Sequence, residues 1–186
     1  ANGLIVTRQG YVQPGFAPDN FQIVEASHPV PDSVGAEAAQ TALHAADALG
    51  ADDLLLVLMS GGASALLPAP AAPISEMNIV RKHLSAIKGG RLAARAWPAA
   101  THMIAISDIP GDDIAMIGSG PTVADSSTCA ETLAIAAKYA IDLTPAIKNQ
   151  LLSGALETPK TGDPDMQRVT ADLCARPADM CAAAVD

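Results

Sequence analysis

The chain has 186 residues, enough for one good hydrophobic core or for a domain with a fragment attached. Its net charge of −9 argues against a general nucleic-acid or anionic-membrane binder and suits the acidic surface of a cytoplasmic enzyme. Apolar residues make up 49% but aromatic ones only 3%, and small alanine side chains favour close helix–sheet packing over an aromatic-rich β-sandwich.

Leu4-Ile5-Val6-Thr7 is a short apolar run behind a glycine and reads as a buried strand. The chain begins at Ala1 without Met or a signal peptide, which reads as an interior point of a longer sequence. Arg8 to Asn20, with two glycines and two prolines, is a loop, and Phe21 to Ala26 is a second strand. Asp32 or Ser33 can cap a helix that runs to about Leu49, with Gly50 as its stop. Asp53 to Met59 is the strongest strand; its run of aliphatic residues predicts cover on both faces. This run is also the longest apolar stretch, far short of a membrane span.

From Glu76 to Ala96 the pattern is helical, with Met77, Val80, Leu84 and Ile87 forming one apolar stripe and Gly89-Gly90 interrupting it. His102 to Ile106 is the next strand, followed by a polar, Gly-rich loop from Ser107 to Asp125. Helices are expected over Thr128 to Tyr139 and Pro145 to Leu152, then a loop rich in Pro, Gly and Thr. Strands alternating with helices predict an α/β fold, a mostly parallel sheet with helices on both faces. The three cysteines, Cys129, Cys174 and Cys181, show neither CxxC nor zinc-ligand spacing, so reduced structural thiols are expected.

In such sheets ligands bind beyond the carboxyl ends of the strands. Two loops leave strands at that edge. Ser60-Gly61-Gly62-Ala63-Ser64 lets the backbone approach a ligand and offers free N–H groups to an anion, unless it is merely a tight turn. Ser107-Asp108-Ile109-Pro110-Gly111-Asp112-Asp113 gathers three carboxylates that could hold Mg²⁺ or take a proton from a hydroxyl. Asp108, directly after the strand, is the favoured one; Asp112 and Asp113 can also serve as helix caps.

A basic cluster completes the set. Five of the eleven Lys and Arg residues, Arg81, Lys82, Lys88, Arg91 and Arg95, lie between positions 81 and 95. Arg81, Ser85 and Lys88 fall at i, i+4 and i+7, one helical face beside the apolar stripe. In an acidic chain this concentration points to an anionic ligand for Arg81 and Lys88. Arg91 and Arg95 are expected on a solvated face, and His83 and His28 as structural hydrogen-bonders.

These stretches, in this order, resemble the glycerate 2-kinase family. The matching text is Glu25-Ala26-Ser27-His28-Pro29-Val30-Pro31-Asp32, then Met59 to Leu67, then Glu76-Met77-Asn78 through Val80-Arg81-Lys82-His83-Leu84-Ser85 to Lys88-Gly89-Gly90-Arg91-Leu92-Ala93. Ser107 to Asp113 and Ser119-Gly120-Pro121-Thr122 complete it, over most of residues 1 to 169. The resemblance implies ATP- and Mg²⁺-dependent phosphorylation of D-glycerate at its 2-hydroxyl, in a Rossmann-like three-layer domain closed by a smaller C-terminal domain.

Some members, encoded with tartrate-degradation genes, are instead labelled hydroxypyruvate reductase, which would use NAD(P)H; no GxGxxG follows a strand here. A carboxylate-binding α/β domain without turnover is the non-enzymatic alternative.

On the kinase reading Asp108, Arg81 and Lys88 are catalytic, and Ser60, Gly61, Gly62, Ser64, Arg81 and Lys82 bind substrate or phosphate. Asp108 and Asp112 hold the metal. The expected partner is a small anion, glycerate or hydroxypyruvate, with no nucleic acid and no membrane; a homodimer is compatible with it.

The chain departs from the family in several places. Ala63 stands where a third glycine is usual, and the family's N-terminal strand with its lysine-bearing turn is missing upstream of Ala1. A helical segment usual between Ile74 and Ser75 is absent, so an interruption is expected there and at Thr170–Ala171. The domain is placed at 1–170. Residues 171–186 form a tail that faintly resembles a motif of the C-terminal domain, which is otherwise missing or fragmentary.

Overall fold

The computed structural model describes residues 2–27, 32–59, 73–107, 109, 111–176 and 179. Among these residues the α-helices and strands follow in the order β1 (Gly3–Arg8), β2 (Phe21–Ala26), α1 (Ser33–Asp47), β3 (Leu54–Met59), α2 (Ile74–Leu84), α3 (Arg91–Ala96), β4 (Ala100–Ile106), α4 (Cys129–Lys138), α5 (Pro145–Leu152) and β5 (Val169–Ala175). All strand pairings are parallel; β3, β4 and β5 are joined through helices, and β1 and β2 through the long loop of residues 9–20. β1 pairs with β2, and β3, β4 and β5 form a separate sheet in that order.

Local chemistry sets the helix starts. Asp32 caps α1 by accepting from Gly35 N at 2.9 Å. Thr128 and Glu131 close a reciprocal capping box on α4, and Pro145 occupies the first turn of α5 behind Thr144. Gly50 is not the expected stop of α1. The helix ends at Ala48 in right-handed geometry, and Asp53 closes the next turn by accepting from Gly50 N at 2.8 Å.

The core has two centres. Ala46, Leu92 and Ala96 join α1 and α3 against Leu55 and Val57 of β3. Met103, Ala105 and Ile117 pack with Val57, Met59, Ala171 and Leu173. Both lie on one side of the β3–β4–β5 sheet. Leu54, Leu56 and Leu58 point the other way and are exposed among the described residues, so β3 is not covered on both faces as its aliphatic run suggested.

Two further expectations are corrected. Neither junction is interrupted: α2 runs from Ile74 through Ser75, with Met77 N donating to Pro73 O at 3.0 Å, and β5 runs through Thr170 and Ala171. β5 crosses position 170 and pairs along β4, and its alternating burial, Val169, Ala171 and Leu173 facing inward, is that of a half-buried strand. No helix of the described residues is long and apolar enough to cross a membrane.

Candidate functional site

α2 buries four polar residues as deeply as any of its apolar stripe. Asn78, Arg81, Lys82 and His83 are all at most 8% exposed; of the stripe Val80 is equally buried, while Met77 and Leu84 are only half-buried. The helix ends at Leu84, and Ser85 is extended at φ −103° and ψ 140°, so Arg81, Ser85 and Lys88 do not continue one helical face as the spacing suggested. Lys88 is instead set by a turn in which Ser85 Oγ accepts from the N–H groups of Ile87 and Lys88, each at 3.3 Å.

Two left-handed glycines then bring the chain against a distant loop. Gly89 (φ +60°) and Gly90 (φ +84°) donate to the carbonyls of Ser119 and Gly120 at 3.0 and 2.7 Å, and Leu92 N donates to Pro121 O at 3.0 Å. The partner loop is equally constrained. Gly120 has φ +57°, and a Cβ there would stand 2.8 Å from the Ala115 carbonyl oxygen, so the position requires glycine.

This ladder assembles a cationic centre. Arg81 Nη1 donates to Asn78 Oδ1 at 3.3 Å, and Ser119 Oγ donates to the same oxygen at 3.1 Å. Lys88 is 6% exposed, and its Nζ has no hydrogen-bond partner among the described residues. Burial, reinforced by the nearby Arg81 charge, pushes the Lys88 ammonium down to about 8. A buried cation without a partner is costly, and an anion is the ligand that would relieve it.

Lys82, expected among the phosphate binders, is already neutralised. Its Nζ lies 3.1 Å from Asp125 Oδ1, and both side chains are buried. Asp125 also accepts from Ser127 N and from the Ser127 and Thr158 hydroxyls at 3.1, 2.7 and 3.1 Å. Burial alone would raise the Asp125 carboxyl, but the Ser127 contacts and Lys82 outweigh it and hold it below its ordinary value. Lys82 thus braces α2 against the loop ahead of α4.

Arg91 is not on a solvated face either. It is half-buried and donates to the carbonyls of Lys82, of Ser85 at 2.8 Å and of Leu156 at 2.5 Å, satisfying the open C-terminus of α2. Arg95 is exposed and paired with Asp47, the surface role expected of it. His83 makes two hydrogen-bond contacts, with the Ile79 carbonyl and with Glu157, as expected of a structural histidine.

In the carboxylate loop Asp112 adopts φ +53°, with Oδ2 3.8 Å from Arg176 Nε and Oδ1 buried without a hydrogen-bond partner among the described residues. Asp113 accepts from Ala115 N at 2.9 Å; it closes a turn ahead of a single 3₁₀ turn at Ile117–Ser119, the local counterpart of the capping role that was its alternative. Asp108, Ser60, Gly61, Gly62 and Ser64 lie outside the described residues, as does His28. Asn78, Ser119 and Asp125 were missed as site residues. Asn78 stands three positions before Arg81 on a helix, the spacing at which side chains meet, and was open to notice; the Asp125 partnership crosses 43 residues of sequence and was not.

Residues 1–75 and 71–152 match the family model described as a domain of unknown function, DUF4147. A D-glycerate 2-kinase from Thermotoga maritima is 37% identical over 177 residues, 85% of this chain and 41% of that protein. A relative from Agrobacterium vitis, which carries hydroxypyruvate reductase as a provisional name, is 46% identical over 181 residues, 87% of this chain and 40% of that protein. The crystal structure of a glycerate kinase from Thermotoga maritima is similar with a TM-score of 0.85 at 35% identity, covering 97% of this chain and 46% of that one. The chain therefore spans less than half the length of these relatives. With the family model matched across most of its length, the chain belongs to the DUF4147 family, the glycerate 2-kinase group in which relatives are named both as glycerate kinases and as hydroxypyruvate reductases.

Proposed function

We propose that this chain is the Rossmann-like part of a glycerate 2-kinase that moves the γ-phosphoryl group of ATP to the 2-hydroxyl of D-glycerate, giving 2-phosphoglycerate. The observation that carries this reading is the buried Lys88 ammonium beside Arg81, without a hydrogen-bond partner among the described residues. Phosphoryl transfer asks a protein mainly for positioning and charge neutralisation. Lys88 and Arg81 neutralise the glycerate carboxylate or the phosphates, and Asn78, itself held by Ser119, fixes the guanidinium plane.

Ser60, Gly61, Gly62 and Ser64 supply the anion cradle on the strength of their motif, and Asp108 orients the hydroxyl. Lys82 supports the site through Asp125 without touching the ligand. Bound Mg²⁺ would offset the charge of the phosphates; the buried Asp112 Oδ1, without a hydrogen-bond partner among the described residues, fits as one hard-oxygen ligand. β5 crosses residue 170 and pairs with β4, so we read it as part of the same domain.

The name of the Agrobacterium relative favours one rival. The same cations would hold the carboxylate of hydroxypyruvate, with NAD(P)H as hydride donor. The full-length protein decides: ADP release with D-glycerate and ATP supports the kinase, and NAD(P)H oxidation with hydroxypyruvate replaces it with the reductase. Neither activity would leave a carboxylate-binding domain.

A further inference from the structure

Outside the cationic centre, the described residues bring together one mixed set of metal-ligating side chains: His83 of α2, Cys129 at the start of α4 and Glu157 in the loop after α5. We propose that His83, Cys129 and Glu157 form a zinc-binding site that ties α2 to the first turn of α4. Their ligating atoms all lie within 4.8 Å of one another, close enough for one ion to draw them in.

The histidine geometry points to a cation. His83 Nδ1 lies 3.0 Å from the Ile79 carbonyl oxygen, which can only accept, so Nδ1 carries a hydrogen. In a neutral ring Nε2 then presents a lone pair, and it faces Glu157 Oε1 at 3.1 Å. Two acceptors meet there. Either a second ring proton or a shared cation resolves the contact, and the neighbouring Cys129 sulfur supplies the soft third ligand that a proton has no use for.

Imidazole nitrogen, thiolate and carboxylate oxygen are the donors zinc takes, with a fourth position left for water. The Nδ1–H bond to a backbone carbonyl is the outer support that orients metal-bound histidines. His83 and Cys129 are buried, whereas the Glu157 side chain is 36% exposed and gives the ion a route from solvent.

Lys160 is the competing charge. Its ammonium donates to Glu157 Oε1 at 2.8 Å, but also to Thr158 Oγ1 at 2.8 Å and to the Ser127 carbonyl, and it keeps the last two when the carboxylate turns to a metal. Binding converts the Cys129 thiol to thiolate: the S–H bond breaks, the sulfur–metal bond forms and the proton leaves to solvent, with no change of oxidation state.

The test uses the full chain in a Cys174→Ser, Cys181→Ser background, stripped with chelator and titrated with Co²⁺ and then Zn²⁺. The expected result is saturation at one equivalent, with a sulfur-to-cobalt charge-transfer band in the near ultraviolet, tetrahedral bands in the visible, and displacement of cobalt by zinc. Cys129→Ser should abolish the charge-transfer band and weaken Zn²⁺ binding by about tenfold or more. Glu157→Gln, at a half-exposed position, should weaken binding while retaining the band at saturation, which keeps the proposal testable if Cys129→Ser does not fold. Absence of the thiolate band in the parent, or equal Zn²⁺ affinity in the parent and both variants, would overturn the site.

Discussion

Methionine in place of Lys88 keeps an unbranched side chain of similar length and removes the ammonium. Burial and the Arg81 charge hold this group at about 8 against an ordinary 10.5. A tenfold change in proton affinity is worth about 1.4 kcal/mol, so the charged form is penalised by about 3 kcal/mol in the folded protein. The folded value lies below the unfolded one, so between them the unfolded chain binds more protons and stability rises with pH. The penalty acts in full below pH 8 and has vanished above 10.5.

Lys88→Met is therefore expected to be more stable than the parent by up to about 3 kcal/mol at pH 7, the gap closing toward pH 10.5. Denaturant unfolding of both proteins at a series of pH values, without ligand, reads that gap and cancels the titration of every other group. A variant equal to or less stable than the parent at pH 7 would refute the reasoning, because it would mean the ammonium is satisfied. Glycerate or nucleotide should reverse the order. Each should bind the parent more tightly than the variant, with affinity in the parent falling as pH rises through 8.

Arg81→Ala should weaken binding of the anionic substrate by roughly 1.5–3 kcal/mol, the worth of a charge-assisted contact, and unchanged affinity in a calorimetric titration would remove Arg81 from the site. Asp125→Asn leaves Lys82 buried and uncompensated, so unfolding free energy should fall by about 3–5 kcal/mol; a loss below about 1 kcal/mol would show that Lys82 finds water instead. Because the Asp125 carboxyl is held below its ordinary value, its contribution is present at neutral pH and lost as pH falls through the folded value; the parent's extra stability over Asp125→Asn should shrink in acid. Gly120→Ala places a Cβ against a main-chain oxygen in left-handed backbone, and thermal unfolding should show a loss of at least about 1–2 kcal/mol.

The elements whose causes are local were readable from the residues alone. Thr128 with Glu131 announces α4, Pro145 announces α5, and the runs at Leu54–Met59 and His102–Ile106 announce two strands of one sheet. The buried polar residues of α2 were not readable. Periodicity put Val80 inward correctly, but it gave no sign that Asn78, Arg81, Lys82 and His83 would be buried beside it. Lys82 and Arg91 acquire their roles from Asp125 and from carbonyls at Lys82, Ser85 and Leu156, contacts that only the folded chain creates. β5 was within reach: Val169, Ala171 and Leu173 alternate with Thr170 and Asp172, but a faint likeness to a motif further along the family's chain obscured a plain period of two.

The three main-chain bonds between Gly89, Gly90 and Leu92 on one side and Ser119, Gly120 and Pro121 on the other bear on protein engineering. Main-chain pairing is intolerant of length, so apart from the left-handed glycines Gly89, Gly90 and Gly120 either segment accepts exchange of residues more readily than insertion or deletion of one. A chimaera between two members of this family should take residues 78–92 and 117–125 from the same parent. Splitting them would hand Lys88 and Ser119 to loops of mismatched register, and the hybrid would lose its cationic centre while its sheet remained intact.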